Sequence, residues 1–226
     1  MSQDPFALEE FGGTARLFPL PNLVLFPHVA QPLHIFEPRY RQLLADALQS
    51  DRLIAMALLR PGWEEDCHKR PAIYSVVCLG QVHHEERLPD GRYNLLLQGL
   101  ARARIREEVK TDRLYRVARV DLLSDIPIIV PAVEQTMRQM LGNAVTPFFA
   151  SHGPAYQQLQ RLLQSPLSLG SLCDIFGSVL PLSIEARQEL LEEVLVERRV
   201  RLLLRRLEDC PPPTPSRPFP PDFSVN

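Results

Sequence analysis

Four consecutive side chains in the sequence can bind metal ions: His83, His84, Glu85 and Glu86. Adjacent residues of a strand point to opposite faces, so at most one of these histidines and one of these glutamates could converge on an ion. Three further histidines are isolated, and a surface or hydrogen-bonded role explains them better than a ligand role: His28, His34 and His68. We therefore expect no metal site.

Nucleophilic side chains occur together in the segment GSLCDIFG, which contains Ser171, Cys173 and Asp174. The segment has helical periodicity and lacks the GxSxG turn that exposes a catalytic serine, so capping and packing explain it better than catalysis. The only lysines, Lys69 and Lys110, follow no glycine-rich loop that could hold a nucleotide phosphate. We expect no catalytic residues and no cofactor.

Three arginines alternate with apolar residues along one segment: Arg102, Arg104 and Arg106. In a strand they would share one face, where they could contact the phosphates of a nucleic acid. The alternative, which we favour, is a solvated face whose charge is balanced by Glu107 and Glu108. A nucleic-acid-binding protein usually has a basic balance, whereas this chain has a net charge of -2. Nucleic acid is therefore not an expected partner.

The composition is ordinary for a globular protein, with 45% hydrophobic and 23% charged residues. The 226 residues suit one large or two modest domains, and we expect two. The N-terminus lacks a basic start followed by an apolar core, and the longest charge-free apolar run, Leu53 to Leu59, is too short to cross a bilayer. We expect a cytoplasmic protein with no membrane partner.

The cysteines form no CxxC pair and predict neither a zinc site nor a disulfide framework: Cys67, Cys78, Cys173 and Cys210.

The first half of the chain has the pattern of a β-rich domain, residues 15–123, preceded by a flexible leader, residues 1–14. Prolines bound two short apolar runs in it, residues 23–26 and 33–36. Because proline does not fit inside a central ladder, we expect each run to be a short strand broken by turns.

A helix should follow these strands, from Pro38 to Leu48. Proline suits the first helical turn, and apolar residues then recur at helical spacing. Further on, the segment LPDGRY predicts a tight hairpin turn with Gly91 at positive φ, because proline, aspartate and glycine each favour such a turn.

The second half has helical periods, and we expect a helical subdomain over residues 131–209. The helices predicted from periodicity span residues 132–141, 155–163, 168–179 and 184–207. Ser183 is a suitable N-cap for the last of them. The proline-rich tail, residues 210–226, is expected to be disordered, with a linker or a short docking motif as the functional alternatives.

The last predicted helix carries two apolar stripes on roughly opposite faces, one up to Leu195 and one from Val196 onward. Either the helix breaks near Leu195, or one long helix buries different faces along its length. We expect the long helix, because no cap, glycine or proline marks a break.

Five segments of the chain, in order, resemble the N-terminal, substrate-recognition domain of Lon proteases. They run from about Arg16 to Leu207 and read LFPLPNLVLFP, PLHIFEPRYRQLL, DRLIAMALLRPG, CLGQVHHEERLPDGRYNLLLQGLARARI and LPLSIEARQELLEEVLVERRVRLLL. The chain departs from the family at Leu195, where Lon sequences tend to have an aspartate.

The resemblance implies an α+β protein with a PUA-like β-barrel followed by a helical bundle. It also implies a non-catalytic polypeptide-recognition module, since the sequence has no GxxxxGK[ST] loop of a Lon ATPase module and matches no peptidase module. The implied partner is an unfolded or hydrophobic polypeptide, bound through apolar surface and strand edges, with a protease or a chaperone as a further partner. The alternative is an RNA-binding PUA-like protein. The oligomeric state stays open.

The predicted binding surface combines the start of the first helix with neighbouring strand ends. Its polar and aromatic members surround an apolar patch: His34, Glu37, Arg39, Tyr40 and Arg92. Structural roles are the alternative, because Tyr40 also fits the buried helix stripe and Glu37 suits the helix N-terminus. Arg39 falls off that stripe and is the cleaner probe of binding.

Overall fold

The computed structural model describes Leu8 and residues 11–66, 70–149 and 153–210. Its strands are β1 Thr14–Leu20, β2 Ala30–Ile35, β3 Leu53–Leu58, β4 Val76–Arg87, β5 Tyr93–Val109 and β6 Arg116–Leu123. Its helices are α1 Pro38–Leu48, α2 Pro131–Val145, α3 Pro154–Leu163, α4 Leu169–Val179, α5 Ile184–Glu192 and α6 Val196–Glu208. The predicted α+β fold class is confirmed. The predicted leader lies mostly, and the predicted tail almost wholly, outside the described residues.

Five of the six strands close into a barrel in the order β5-β4-β3-β1-β6, because β6 pairs with β5 as well as with β1. The 17-residue β5 permits this closure. Its first half lies between β2 and β4, and its second half lies between β4 and β6. Among the described strands β2 pairs with β5 alone, so its other edge is open.

Apolar side chains cover both faces of the barrel. The interior contains many small residues, such as Ala55, Ala57 and Ala118, all fully buried. The outer face packs against α1 and the C-terminal helices in a second cluster that extends from Phe18 to Leu207. Because this cluster contains residues of both strands and helices, the two halves of the chain share one core. The boundary between subdomains 15–123 and 131–209 stays a prediction.

The proline-rich first segment differs from its prediction. Residues 23–26 form a largely buried loop rather than a strand, whereas the run 33–36 belongs to β2 up to Ile35. Pro19 and Pro32 lie inside β1 and β2. Neither interrupts a ladder, because β1 pairs with β6 only over residues 14–17 and β2 is the outer strand.

The predicted helix and hairpin of the first half are confirmed. Pro38 occupies the first turn of α1, and the buried stripe of this helix has the predicted members Tyr40, Leu43, Leu44 and Ala47. The turn between β4 and β5 places Gly91 at φ +80°. The Gly91 N–H donates to the Leu88 carbonyl at 2.9 Å, which closes the turn.

The prediction of one long C-terminal helix is wrong. α5 ends at Glu192 and α6 begins at Val196, while residues 193–195 are extended. This short segment pairs with the connector that follows β6: the Ile126 N–H donates to the Val194 carbonyl at 2.9 Å, and the Val196 N–H donates to the Ile126 carbonyl at 3.1 Å. Tertiary hydrogen bonds therefore end α5 where the sequence has no local stop signal, and the break lets both apolar stripes reach the core.

The other helices match their predictions, and α5 begins at the predicted cap, while Ser168 caps α4. The Ser183 hydroxyl accepts a hydrogen bond from the Ala186 N–H at 3.2 Å, and the Ser168 hydroxyl accepts one from the Ser171 N–H at 3.0 Å. Within the described ranges, no helix has the length and apolar character needed to cross a membrane.

Candidate functional site

A surface cavity of about 400 Å³ opens where β1 and β6 separate. These strands pair only between residues 14–17 and 116–119, and their chains diverge beyond that register. The rest of the lining comes from the start of α1 and from the segment after β3. The lining residues are Pro19, Leu20, Pro21, Glu37, Arg39, Tyr40, Leu59, Trp63, Arg70, Pro71, Leu114, Tyr115 and Arg116. We call this cavity the groove.

Tyr40 joins the groove to the core. Its side chain is 4% exposed, its hydroxyl donates to the Pro19 carbonyl at 2.7 Å, and its ring meets the Phe18 ring edge-on with 4.0 Å between centroids. Burial raises the pKa of Tyr40 to about 12, so the phenol stays neutral. Tyr40 therefore fixes the end of β1 against α1 and presents part of a neutral ring to the groove.

An ion pair forms the polar rim beside this ring. Arg39 Nη2 lies 2.8 Å from the Glu37 carboxylate, and both side chains are partly exposed. The Arg39 guanidinium lies over the Tyr40 ring, 4.5 Å from its centroid. This stacking holds a cation at the mouth of the groove while leaving its outer donors accessible.

Hydrogen bonds hold the opposite wall of the groove, residues 114–116, in place. The Tyr115 hydroxyl donates to Asp46 of α1 at 2.6 Å, and Arg116 Nη1 donates to the Pro71 carbonyl at 2.8 Å. Arg116 also pairs with Glu108, and that hydrogen bond lowers the pKa of the Glu108 carboxyl. The wall is thus tied both to α1 and to the loop after β3.

His34 of β2 and Arg92, which directly precedes β5, lie outside the groove. His34 Nδ1 is 2.8 Å from the Asn94 side-chain oxygen, and its Nε2 is 3.3 Å from Arg92 Nη1. Arg92 also pairs with Asp90 at 2.6 Å. The structure therefore separates the five predicted residues into a groove set and a strand-edge set.

Phe36 lies between these two sets. It follows β2 directly and precedes Glu37, which lines the groove. Its side chain is 59% exposed, and its ring stacks with the His34 ring at 6.1 Å between centroids. An exposed aromatic side chain thus continues the apolar surface from the groove toward the outer edge of β2.

The groove offers side chains rather than a strand edge. Beyond residue 17, the side of β1 that faces the gap carries Pro19, which has no N–H and whose carbonyl already accepts from Tyr40. A bound chain could not form a β-ladder with this part of β1. The open edge of β2 also contains a proline, Pro32.

The sequence prediction missed the wall formed by residues 114–116 and the contribution of Trp63. Leu114 is 63% exposed although it is flanked by Arg113 and Tyr115, which are both held to Asp46. The only feature of the sequence that could have indicated this wall is Leu114, an apolar residue within the polar segment KTDRLYR. Its position opposite α1 depends on barrel closure, which no local pattern reveals.

The expected solvated row of arginines is wrong for Arg102. This side chain is 2% exposed and pairs with Asp174 of α4, which is itself 1% exposed. Arg199 of α6 joins both Asp174, at 3.2 Å, and Asp125, at 2.9 Å. Burial raises the pKa of Asp174, and the two guanidinium groups oppose that rise. We call these four residues the charge cluster.

Arg102 differs from the rest of the row because the C-terminal helices cover the outer face of β5 at its position only. Its Nε donates to the Leu191 carbonyl at the end of α5, at 3.0 Å. Arg104 and Arg106 lie further along β5 and are exposed. Arg106 pairs with Asp121 of β6.

The His83–Glu86 run lies at an irregularity of β4. The β4–β5 register shifts between His83 and Glu86, and His84 has φ +48°. Glu85 pairs with Arg52. No group of three or more histidine, cysteine, aspartate or glutamate side chains is arranged to hold a metal ion within the described ranges.

Solved structures support the fold. A Lon N-terminal domain protein from Xanthomonas campestris matches with a TM-score of 0.62 and 23% identity, over 85% of this chain and 97% of that one. The N-terminal domain of a Mycobacterium avium complex Lon protease matches with a TM-score of 0.66 and 15% identity, over 87% of this chain and 99% of that one.

Comparison of the sequence with known proteins also finds Lon proteases. Lon protease 2 of Bdellovibrio bacteriovorus is 26% identical over 204 residues, and Lon protease 2 of Herpetosiphon aurantiacus is 29% identical over 210 residues. Each alignment covers 90% of this chain but only 25% of the relative, so the chain spans about a quarter of the length of these proteins. The model of the ATP-dependent protease La (LON) substrate-binding domain matches residues 14–209. The chain therefore belongs to the family of Lon substrate-binding domains.

Proposed function

We propose that this chain binds unfolded or hydrophobic polypeptide segments in the groove and has no catalytic activity of its own. The observation that carries the proposal is the groove itself. Its volume of about 400 Å³ lies within the roughly 300–1,000 Å³ typical of binding pockets. Its lining combines apolar and aromatic side chains with a charged rim, as expected of a site that takes apolar side chains from a flexible chain.

The groove residues have distinct roles in this proposal. Leu114 and Trp63 supply apolar contact, and Tyr40 presents a neutral ring whose hydroxyl is already bonded. Arg39 and Glu37 hold opposite charges at the mouth, where they can bond the backbone carbonyl and N–H groups of a bound segment. Recognition through side chains in this way tolerates many client sequences.

His34 and Arg92 extend the proposed contact along β2. They lie beside the exposed Phe36, so a segment longer than the groove could continue over this aromatic side chain. We expect these residues to add affinity for long segments and to matter little for short ones.

The proposal includes a cytoplasmic setting and a partner that processes the bound polypeptide. The relatives that match this chain are named Lon proteases and are about four times its length. A protease or a chaperone is accordingly the partner that we expect to process the bound polypeptide.

RNA binding has less support. Arg102 is buried in the charge cluster, and Arg106 is neutralised by Asp121. Arg119, on the neighbouring strand, pairs with Glu107 at 3.2 Å. Of the three arginines of this row, Arg104 alone is then exposed without an ion pair among the described residues, which is little positive charge for binding a phosphate backbone.

The decisive test is titration of a fluorescently labelled, permanently unfolded polypeptide rich in leucine and phenylalanine. Leu114→Ser should weaken binding by about tenfold, because an apolar anchor of a binding site contributes about 1–2 kcal/mol. Arg39→Glu should also weaken it while leaving the circular dichroism spectrum unchanged. The matched control is Leu122→Ser, at an exposed leucine of β6 that is 40% exposed and not among the groove residues.

Equal affinities of wild type, Leu114→Ser and Arg39→Glu would exclude the groove as the binding site. If wild type did not bind the polypeptide at all, polypeptide recognition itself would be wrong. A labelled single-stranded RNA titrated in parallel tests the alternative, since RNA binding would weaken steeply with added salt.

A further inference from the structure

A second apolar depression lies between α2 and α6. It consists of two cavities, of about 540 and 280 Å³, which adjoin at Met140, a lining residue of both. We call this depression the trough. Its lining residues are Ala132, Val133, Thr136, Met137, Met140, Asn143, Ala144, Pro147, Phe148, Arg201, Leu204, Leu207 and Glu208.

Several apolar side chains in and beside the trough are exposed to solvent. Met140 is 45% exposed and Val133 is 38% exposed, although both lie on a helix that packs against the core. Just before α2, Ile129 and Val130 are 90% and 54% exposed. A continuous exposed apolar surface of this kind marks a contact site. The groove shares no residue with it, so the proposed function does not explain it.

One segment of this chain begins beside the trough. Glu208 and Leu207 line the trough at the end of α6, and residues 211–226, which lie outside the described residues, follow Cys210 directly. This segment has seven prolines among residues 211–221. Its large apolar side chains are Phe219 and Phe223. Proline-rich segments with aromatic neighbours suit apolar grooves because proline restricts the unbound chain and lowers the entropy lost on binding.

The charges of the segment complement those of the trough. Arg201 and Glu208 border the trough at opposite ends of its α6 side, seven residues and about 10 Å apart along the helix. The segment carries Arg217 and Asp222 five residues apart, a separation that a polyproline conformation would make about 15 Å. If the segment runs antiparallel to α6, Arg217 approaches Glu208, and Asp222 approaches Arg201. Arg201 also pairs with Glu197 but is 57% exposed and keeps donors for a second carboxylate.

This orientation places Phe219 between the two charge contacts, over Met140 and Leu204. The six residues between Cys210 and Arg217 can span about 19 Å, which leaves ample chain for the reversal. Tethering also gives the segment an effective concentration of about 1 mM, so contacts of modest strength suffice to occupy the trough.

We propose that residues 211–226 bind in the trough of their own chain, with Phe219 as the apolar anchor and Arg217 and Asp222 facing Glu208 and Arg201. The segment then covers the exposed face of α2.

Methionine oxidation tests this inference in the full chain. Hydrogen peroxide should oxidise Met140 slowly in wild type, and mass spectrometry of the peptide measures the rate. Phe219→Ser together with Phe223→Ser should accelerate Met140 oxidation by about fivefold, the change expected when a cover present about 80% of the time is lost. Met56, which is 2% exposed and lies in β3 away from the trough, is the internal control for unfolding. Phe36→Ser, at an exposed phenylalanine after β2, is the matched control and should leave the Met140 rate unchanged.

A charge reversal tests the orientation. Arg217→Glu should accelerate Met140 oxidation, and Glu208→Arg in the same chain should restore protection. Equal Met140 rates in wild type and in the double phenylalanine variant would overturn the proposal. Protection that disappears on dilution would also overturn it, because it would show that a second copy covers the trough. Failure of the charge reversal to restore protection would refute the antiparallel arrangement.

Discussion

Tyr40 has a structural role in the fold and, in the proposed function, a binding role as well. Its hydroxyl satisfies the one carbonyl that β1 presents toward the groove, while its ring supports the Arg39 guanidinium. Because the hydroxyl is committed to Pro19, Tyr40 contributes shape and apolar surface rather than a free polar group.

Tyr40→Phe should destabilise the chain by about 1–3 kcal/mol, because the buried Pro19 carbonyl loses its donor. Urea unfolding at neutral pH measures this change. The Tyr40 pKa is raised to about 12 in the folded chain, so deprotonation favours unfolding as the pH rises above about 10. Wild type should therefore lose stability in that range, and Tyr40→Phe should lose less. A variant as stable as wild type at neutral pH would contradict the assigned hydrogen bond.

Gly91→Val should destabilise the chain by at least about 1 kcal/mol, because φ +80° is strained for a β-branched residue. A Cβ at this position would also lie 2.7 Å from an Arg41 side-chain nitrogen of α1. Thermal unfolding provides the measurement. Gly12→Val is the control, because a Cβ there meets no atom within 4 Å, and its melting temperature should change little.

Individual residues differ in how well the sequence predicts them. The turn glycine and the Tyr40 stripe were predictable because local conformation and helical spacing determine them. The burial of Arg102 was not, because the alternation Arg102, Arg104, Arg106 is the same whether or not a helix covers the first member. Its partners are 72 residues away at Asp174 and 23 residues away at Asp125, beyond any local pattern.

Among the elements, the break between α5 and α6 is the clearest feature that the local sequence does not predict. Helix propensity favours continuation through residues 193–195, yet Ile126 binds that segment as a short strand does. Tertiary pairing outweighs propensity here because it satisfies backbone groups at both helix ends. Leu195, at the N-cap of α6, makes no side-chain cap hydrogen bond.

Leu195→Asp should stabilise α6 relative to Leu195→Ala by about 0.5–2 kcal/mol, since aspartate can accept from the first free N–H groups of the helix and alanine cannot. The comparison with alanine removes the common loss of the leucine side chain. Chemical denaturation of both variants measures the difference. Equal stabilities would mean that the pairing with Ile126, rather than capping, determines where α6 begins.

At the scale of the whole molecule, the charge cluster fastens the barrel to the helices. It joins β5, the connector, α4 and α6 through Arg102, Asp125, Asp174 and Arg199. The apolar cluster that spans both halves surrounds these charges. The α+β class and most helices were predictable from periodicity, but this joint was not, because it depends on residues from four separate elements.

Asp174→Asn should destabilise the whole chain by about 3–5 kcal/mol, because it leaves two buried guanidinium groups with one carboxylate. Far-ultraviolet circular dichroism and Trp63 fluorescence should report one shared unfolding transition, since Trp63 lies beside the barrel and the dichroism follows the helices. The control is Glu197→Gln, which removes an exposed ion pair with Arg201 and should cost less than about 1 kcal/mol. Similar effects of the two substitutions would show that the cluster does not fasten the two halves together.

The prolines of β1 and β2 have a consequence for the fate of a captured chain. Pro19 faces the gap between β1 and β6, and Pro32 lies in the outer strand, so both unpaired edges lack a regular series of donors. An aggregation-prone polypeptide held at the groove finds no template along which to extend cross-β stacking. If the groove binds polypeptides as proposed, the protein would concentrate them on its surface without seeding fibrils.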